Sequence, residues 1–277
     1  MSQQSPSRLV GISATGGAEL EARIYPGRID GNLASSSDRE IAIIAHPYGF
    51  LGGSLNDHVV QALKDVLCQR SVSVLLYNSR GVGKSSGRAS WTGEAERKDY
   101  QAVVDWVVDN HRTLAPDRAH EGIDVPSRLV VYCCGYSFGS VMAGQAISPP
   151  HRRTGPQVRL RYILISPPVS TVVRFLLTPF RSGNFTASLQ RIVSGDGSAG
   201  VHEDEAGRES SKVLIIYGRR DNFTSEATYR RWIGEFFPVA DLTYRETFSV
   251  KEITDADHFW SNSGCKSEML AEVANWL

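Results

Sequence analysis

The chain has 277 residues, 41% of them hydrophobic, and its 30 basic residues balance 30 acidic ones. That length can bury a substantial core, and a net charge near zero gives no global field to recruit nucleic acid or an anionic membrane. No apolar run approaches the roughly 18 residues of a membrane span, and MSQQSPSRLV lacks the basic and apolar regions of a secretory signal. Four cysteines (Cys68, Cys133, Cys134, Cys265) are too few for a disulfide framework, so the expectation is a cytoplasmic protein with reduced thiols.

Residues 8–25, RLVGISATGGAELEARIY, read as two strands around a Gly-Gly turn, added antiparallel at a sheet edge. A recurring pattern then begins, a short continuous apolar run followed by an amphipathic stretch. The runs are IAIIA (41–45), VSVLLY (72–77), LVVYCC (129–134), YILI (162–165) and VLIIY (213–217). Continuous runs, unlike alternating ones, indicate strands buried on both faces of a parallel sheet. Cys133 and Cys134 are adjacent in one such run, so their side chains should point to opposite faces.

Between the runs lie helical stripes. Val59, Val60, Leu63, Val66 and Leu67 fall on one face of 56–70. Tyr100, Val103, Val104, Val107 and Val108 do so in 93–111, with Thr92 placed as N-cap, and CKSEMLAEVANWL closes the chain with a third stripe. DLTYRETFSV (241–250) reads as the last strand. Alternating strand and helix implies an α/β fold with helices on both sheet faces. The whole of 1–277 reads as one domain with a small insertion at about 167–211. Its first part, VSTVVRFLLTPF, is a short apolar helix candidate, and 181–211, rich in Gly, Ser and acidic residues, reads as a mobile surface excursion.

The chemistry centres on Gly135-Tyr136-Ser137-Phe138-Gly139, which follows LVVYCC and precedes a run of small residues. Glycines on either side remove Cβ atoms where a sharp strand-to-helix turn would clash, and the serine is then held with Oγ exposed at the sheet's carboxyl edge. A plain tight turn is the alternative reading, so partners are needed. A serine nucleophile requires a base, and the base requires an orienting carboxylate. In a turn of this kind they follow in the order serine, acid, histidine, each just past a later strand. Asp221 follows VLIIY in Gly218-Arg219-Arg220-Asp221, and His258 follows the last strand in Asp255-Ala256-Asp257-His258. His258 is the only histidine beyond Asp221. Asp257 is the rival acid, but a carboxylate next to His258 in sequence is badly placed to orient its ring.

The Phe138 N–H opens a helix beside the serine and can bind a developing oxyanion. His46-Pro47-Tyr48-Gly49 ends the IAIIA strand, where a loop can aim a second N–H at the same point; Tyr48 is the first choice and Gly49 the fallback. His46 itself reads as structural. The remaining histidines, at 46, 58, 111, 120, 151 and 202, show no metal-ligand spacing. SRGVGKSSG (79–87) imitates the tail of a phosphate-binding loop, but Asn78 stands where its first glycine belongs, and the glycines read as loop-shaping.

Together these residues resemble the α/β-hydrolase family, from His46-Pro47 with Gly52-Gly53-Ser54, through Arg80-Gly81 to Ser85 and the Ser137 turn, to Asp221 and His258. The likeness is greatest to small, near-capless, carboxylesterase-like serine hydrolases. It implies an eight-stranded, mostly parallel sheet and a triad of Ser137, Asp221 and His258. Pro47 departs from the glycine of many relatives and bears on the first oxyanion donor. The expected activity is hydrolysis of small-molecule carboxylic esters or thioesters through an acyl-enzyme, without a cofactor. A thioesterase, acyltransferase or peptidase on the same fold, or a non-catalytic binding protein, are the alternatives. Phe50, Leu51, Phe175, Leu176, Phe259 and Trp260 are the expected acyl-pocket walls, and so small a cover favours short or medium acyl groups.

Overall fold

The strand and helix order follows from which runs can be covered on both faces. The computed structural model describes residues 7–28, 38–114, 128–150, 155–169, 182–194, 211–237 and 247–277. Its strands are β1 (Arg8–Ser13), β2 (Glu19–Tyr25), β3 (Asp38–Ala45), β4 (Ser73–Tyr77), β5 (Arg128–Tyr136), β6 (Gln157–Ile165), β7 (Lys212–Gly218) and β8 (Phe248–Ile253). They form one eight-stranded sheet in the order β1-β2-β4-β3-β5-β6-β7-β8. β1 and β2 join antiparallel at one edge, as the Gly-Gly turn implies, and β3 to β8 pair in parallel.

The helices are α1 (His58–Gln69), α2 (Glu94–Asn110), α3 (Phe138–Ala143), α4 (Ser182–Ser194), α5 (Glu226–Phe236) and α6 (Ser263–Trp276). Alternate residues of each central strand serve opposite cores. Ile41, Ile43, Leu75, Val131, Cys133, Leu164 and Ile215 pack with α2, α3, α4 and α5. Ala42, Ile44, Leu76, Tyr132, Cys134, Ile163 and Ile216 pack with α1 and α6. The continuous apolar runs are thus explained by central strands that have no wet face. Cys133 and Cys134 lie in opposite cores, all four cysteines are free, and burial pushes the Cys133 thiol up to about 12.

Three expectations need correction. The N-cap of α2 is Gly93, with φ 70°, not Thr92, whose hydroxyl only accepts a long bond of 3.4 Å from the Glu94 N–H. Thr92 lies one residue too early, and the left-handed turn into this helix suits glycine. Part of the stretch read as a mobile excursion is α4, because Phe185, Leu189, Ile192 and Val193 recur at helical spacing and bury against the sheet. The last strand begins within DLTYRETFSV at Phe248 and runs on to Ile253. The apolar helix candidate lies, apart from Val169, outside the described residues, as do 195–210. Among the described residues no helix is long and apolar enough to cross a membrane.

α1 follows its sequence signals closely. Asp57 Oδ1 accepts the Val59 and Val60 N–H groups at 2.9 and 3.3 Å, which fixes where the helix starts. Asp57→Ala should therefore lower stability by about 1 kcal/mol, measured by urea unfolding at pH 7. A change below a few tenths would mean that solvent replaces the cap without penalty.

Candidate active site

Ser137 follows β5 and caps α3 with φ 54° and ψ −121°, a strained pair of angles for a residue with a side chain. The glycines that bracket it are forced by close approaches. A Cβ on Gly135 would lie 2.2 Å from the Gly139 carbonyl carbon, and one on Gly139 would lie 2.3 Å from Ala45 O. Distances under 3 Å do not occur between real atoms of this kind, so the turn exists only with glycine at both places. The same approach presses the start of α3 against the end of β3, where the Tyr48 loop begins. The Ser137 N–H donates to Ile165 O at 2.8 Å, and Ser140 Oγ donates to Ser137 O at 2.5 Å, so the turn is held from both sides.

Three side chains from three loops meet here. Ser137 Oγ lies 2.8 Å from His258 Nε2, and His258 Nδ1 lies 2.7 Å from Asp221 Oδ2. The His258 and Asp221 side chains are 4% and 0% exposed, so water screens the contact between them little. Asp221 Oδ1 accepts the Phe223 and Thr224 N–H groups at 2.8 and 2.9 Å. Oδ2 also accepts from Tyr229 Oη at 3.4 Å. Asp257 faces elsewhere: its Oδ1 accepts the Ser261 N–H at 2.9 Å and closes the turn after the histidine. Of the two acids weighed from sequence, Asp221 is the one in contact with the ring.

The Tyr48 and Phe138 rings are neighbours, with centroids 4.8 Å apart, so the two backbone segments expected to bind an oxyanion lie side by side. Tyr48 O accepts the Leu51 and Gly53 N–H groups, and among the described residues no group accepts the Tyr48 N–H. His46 is buried beneath this loop. Its Nε2 accepts the Ser79 N–H at 2.9 Å, which leaves Nδ1 to carry the hydrogen donated to Pro47 O at 2.5 Å. Burial lowers the His46 pKa to about 4, so the ring stays neutral while it ties the β3 loop to the β4 loop. The loop after β4 is shaped by Gly81 and Gly83 in left-handed conformations and by a partly buried Arg80–Asp99 pair.

The expected pocket walls divide. Phe50, Leu51 and Phe259 are half exposed or more, and Phe259 stands edge-on to the His258 ring with centroids 5.7 Å apart. Trp260 is a correction: it is fully buried in the core shared with α1 and α6, and its Nε1–H donates to Ser166 Oγ at 3.2 Å. The chain turns sharply at Trp260, with φ 53°, and the side chain lies in the core, away from any entrance. Phe175 and Leu176 lie outside the described residues.

Several contacts around the site were not legible. Tyr136 Oη donates to His258 O at 2.8 Å across 122 residues, and the Phe223 ring lies 4.4 Å from the His258 ring. Tyr136 is an unspecified position of the Gly-x-Ser-x-Gly pattern, so nothing in the motif marks it. Among the described residues no cluster of His, Cys, Asp and Glu could hold a metal ion.

No family model matches the chain. It is 30% identical over 184 residues to the uncharacterized protein RP471 of Rickettsia prowazekii (strain Madrid E), an alignment covering 65% of this chain and 66% of that one, just under two thirds. The structure resembles that of an alpha-beta serine hydrolase homologue from Coxiella burnetii, with a TM-score of 0.63 and 20% identity, over 100% of this chain and 99% of that one. It also resembles the Pyrococcus furiosus esterase Pf2001, with a TM-score of 0.60 and 17% identity, over 98% of this chain and 92% of that one.

Two outcomes test these positions. Tyr136→Phe keeps the ring and removes one buried hydrogen bond to His258 O. It should reduce turnover by about 5- to 10-fold with KM little changed and lower stability by about 1 kcal/mol; a drop in stability without one in turnover would make the contact structural only. His46 has a folded pKa below its unfolded value of about 6.5. Its contribution is therefore complete above pH about 6.5 and is lost as pH falls toward about 4. Urea unfolding should show wild type losing more stability between pH 7 and pH 5 than His46→Gln does, and parallel curves would contradict the assignment.

Proposed function

We propose that this chain, an α/β-hydrolase by fold, is a serine hydrolase that cleaves carboxylic esters or thioesters through an acyl-enzyme on Ser137. The observation that carries the reading is the unbroken hydrogen-bonded chain Ser137 Oγ, His258, Asp221, with links of 2.8 and 2.7 Å. The esterase and serine hydrolase neighbours support it at the level of fold.

In this reading Ser137 Oγ attacks the acyl carbonyl while His258 Nε2 takes its proton. Asp221 holds the Nδ1–H tautomer and stabilises the imidazolium that forms. Its two backbone donors, from Phe223 and Thr224, keep the carboxylate oriented toward the ring. The Tyr48 and Phe138 N–H groups receive the oxyanion, where a single donor is worth ~10²–10³ in turnover. Collapse of the tetrahedral intermediate expels the alcohol or thiol, which takes the proton from His258. Water deprotonated by His258 then attacks the acyl-Ser137 ester and releases the acid. Every step uses groups of this chain, and the reading requires no cofactor.

A fluorophosphonate probe should label the wild type and leave Ser137→Ala unlabelled. His258→Ala and Asp221→Asn should fold normally and lose ~10³–10⁴ in turnover of a small activated ester. Asp257→Asn should lose less than a few-fold. Equal labelling of wild type and Ser137→Ala would exclude Ser137 as the nucleophile, and inactivation by Asp257→Asn alone would exclude Asp221 as the acid.

A further inference from the structure

The described residues expose six large apolar side chains: Leu9, Phe50, Leu51, Trp91, Ile147 and Phe259. Scattered exposed hydrophobic residues are ordinary, but three of these lie on the loops that carry Tyr48 and His258, and a fourth packs on one of them. Phe50 and Leu51 follow the Tyr48 donor, and Phe259 follows the base. Trp91, from the loop before α2, joins them by packing on Phe50 with ring centroids 5.3 Å apart and planes within 18°. From there the rings continue inward, Phe50 to Tyr48 at 5.2 Å and Tyr48 to Phe138 at 4.8 Å. An unbroken run of four aromatic rings thus leads from the surface to the residue that follows the nucleophile. Its outer members remain 65% (Trp91) and 54% (Phe50) exposed.

We infer that the Phe50–Trp91 stack is a specificity wall that receives a flat apolar ring carried by the substrate, an inference that rests on the hydrolase reading above. Continuity with the Ser137 turn identifies the occupant. Rings that lead stepwise to the reacting serine suit the remainder of a molecule whose carbonyl is already held there. Trp91 stacks on Phe50 and stays 65% exposed, so a flat ring can extend the stack by offset stacking, and a branched or very small group cannot. The gain from such stacking, beyond the area buried, corresponds to about 2- to 12-fold in affinity. Trp91 is the specificity-determining residue, since Phe50 is also braced by Tyr48.

The test compares wild type, Trp91→Ala and Trp91→Phe on 2-naphthyl acetate and on ethyl acetate. Trp91 is mostly exposed, so neither variant should change the melting temperature by more than a degree or two. Trp91→Ala should raise KM for the naphthyl ester by about 2- to 12-fold with kcat little changed, leave ethyl acetate kinetics as they are, and label with fluorophosphonate at the wild-type rate. Trp91→Phe should restore most of the loss. An unchanged KM for the naphthyl ester, or equal increases for both esters, overturns the inference while labelling of Ser137 leaves the hydrolase reading standing. Sedimentation of wild type but not Trp91→Ala with phosphatidylcholine–phosphatidylserine vesicles, with naphthyl ester kinetics unchanged, would assign the stack to a lipid surface and also overturns it. If wild type neither hydrolyses either ester nor takes the probe, the hydrolase reading fails and this inference falls with it.

Discussion

The carboxyl edge of the sheet depends on how closely the start of α3 can approach β3 and β5. Gly135 packs against the Gly139–Ser140 backbone, and Gly139 against Ala45 and His46 carbonyl oxygens, at separations no side chain permits. That approach forces Ser137 into a left-handed conformation and turns Oγ outward. It also fixes the distance between the serine turn and the Tyr48 loop, because both ends of the contact are backbone. The strain of about 1–3 kcal/mol at one residue is offset by two cores that cover the sheet on both faces.

Around this contact the remaining groups are held by second partners. His46 links the loops after β3 and β4 as a neutral, buried ring. Asp221 is fixed by two backbone donors before it meets His258. The His258 loop is anchored twice, by Tyr136 Oη on the carbonyl of His258 and by Trp260 buried against Ser166. Each of these residues acts on the geometry of another and leaves the open side of the site free.

Much of this was legible in the sequence because it rests on local patterns. Continuous apolar runs gave the parallel sheet, the Gly-x-Ser-x-Gly run gave the turn, and chain order separated Asp221 and His258 from their competitors. The parts that were not legible depend on contacts distant in sequence or on one-residue choices of backbone conformation. Tyr136 reaches His258 across 122 residues, and Trp91 meets Phe50 across a loop whose path no periodicity encodes. Trp260 looked like a pocket wall because it lies two residues from His258, but it stands at a positive φ and its side chain is buried in the core. The same kind of choice moved the α2 cap from Thr92 to Gly93. In α4, a polar and glycine-rich neighbourhood hid an apolar stripe of four residues, Phe185, Leu189, Ile192 and Val193.

The central claim is that Ser137 carries the acyl group between two half-reactions. It is tested most directly by acid-quenching the protein within milliseconds of mixing with an activated acetate ester and measuring the mass of its peptides. The account predicts a single acetyl group on the peptide containing Ser137, formed in a burst and accumulating further in a variant whose deacylation is slowed. An acetyl group on another residue, or turnover with no covalent adduct at any time, would contradict it.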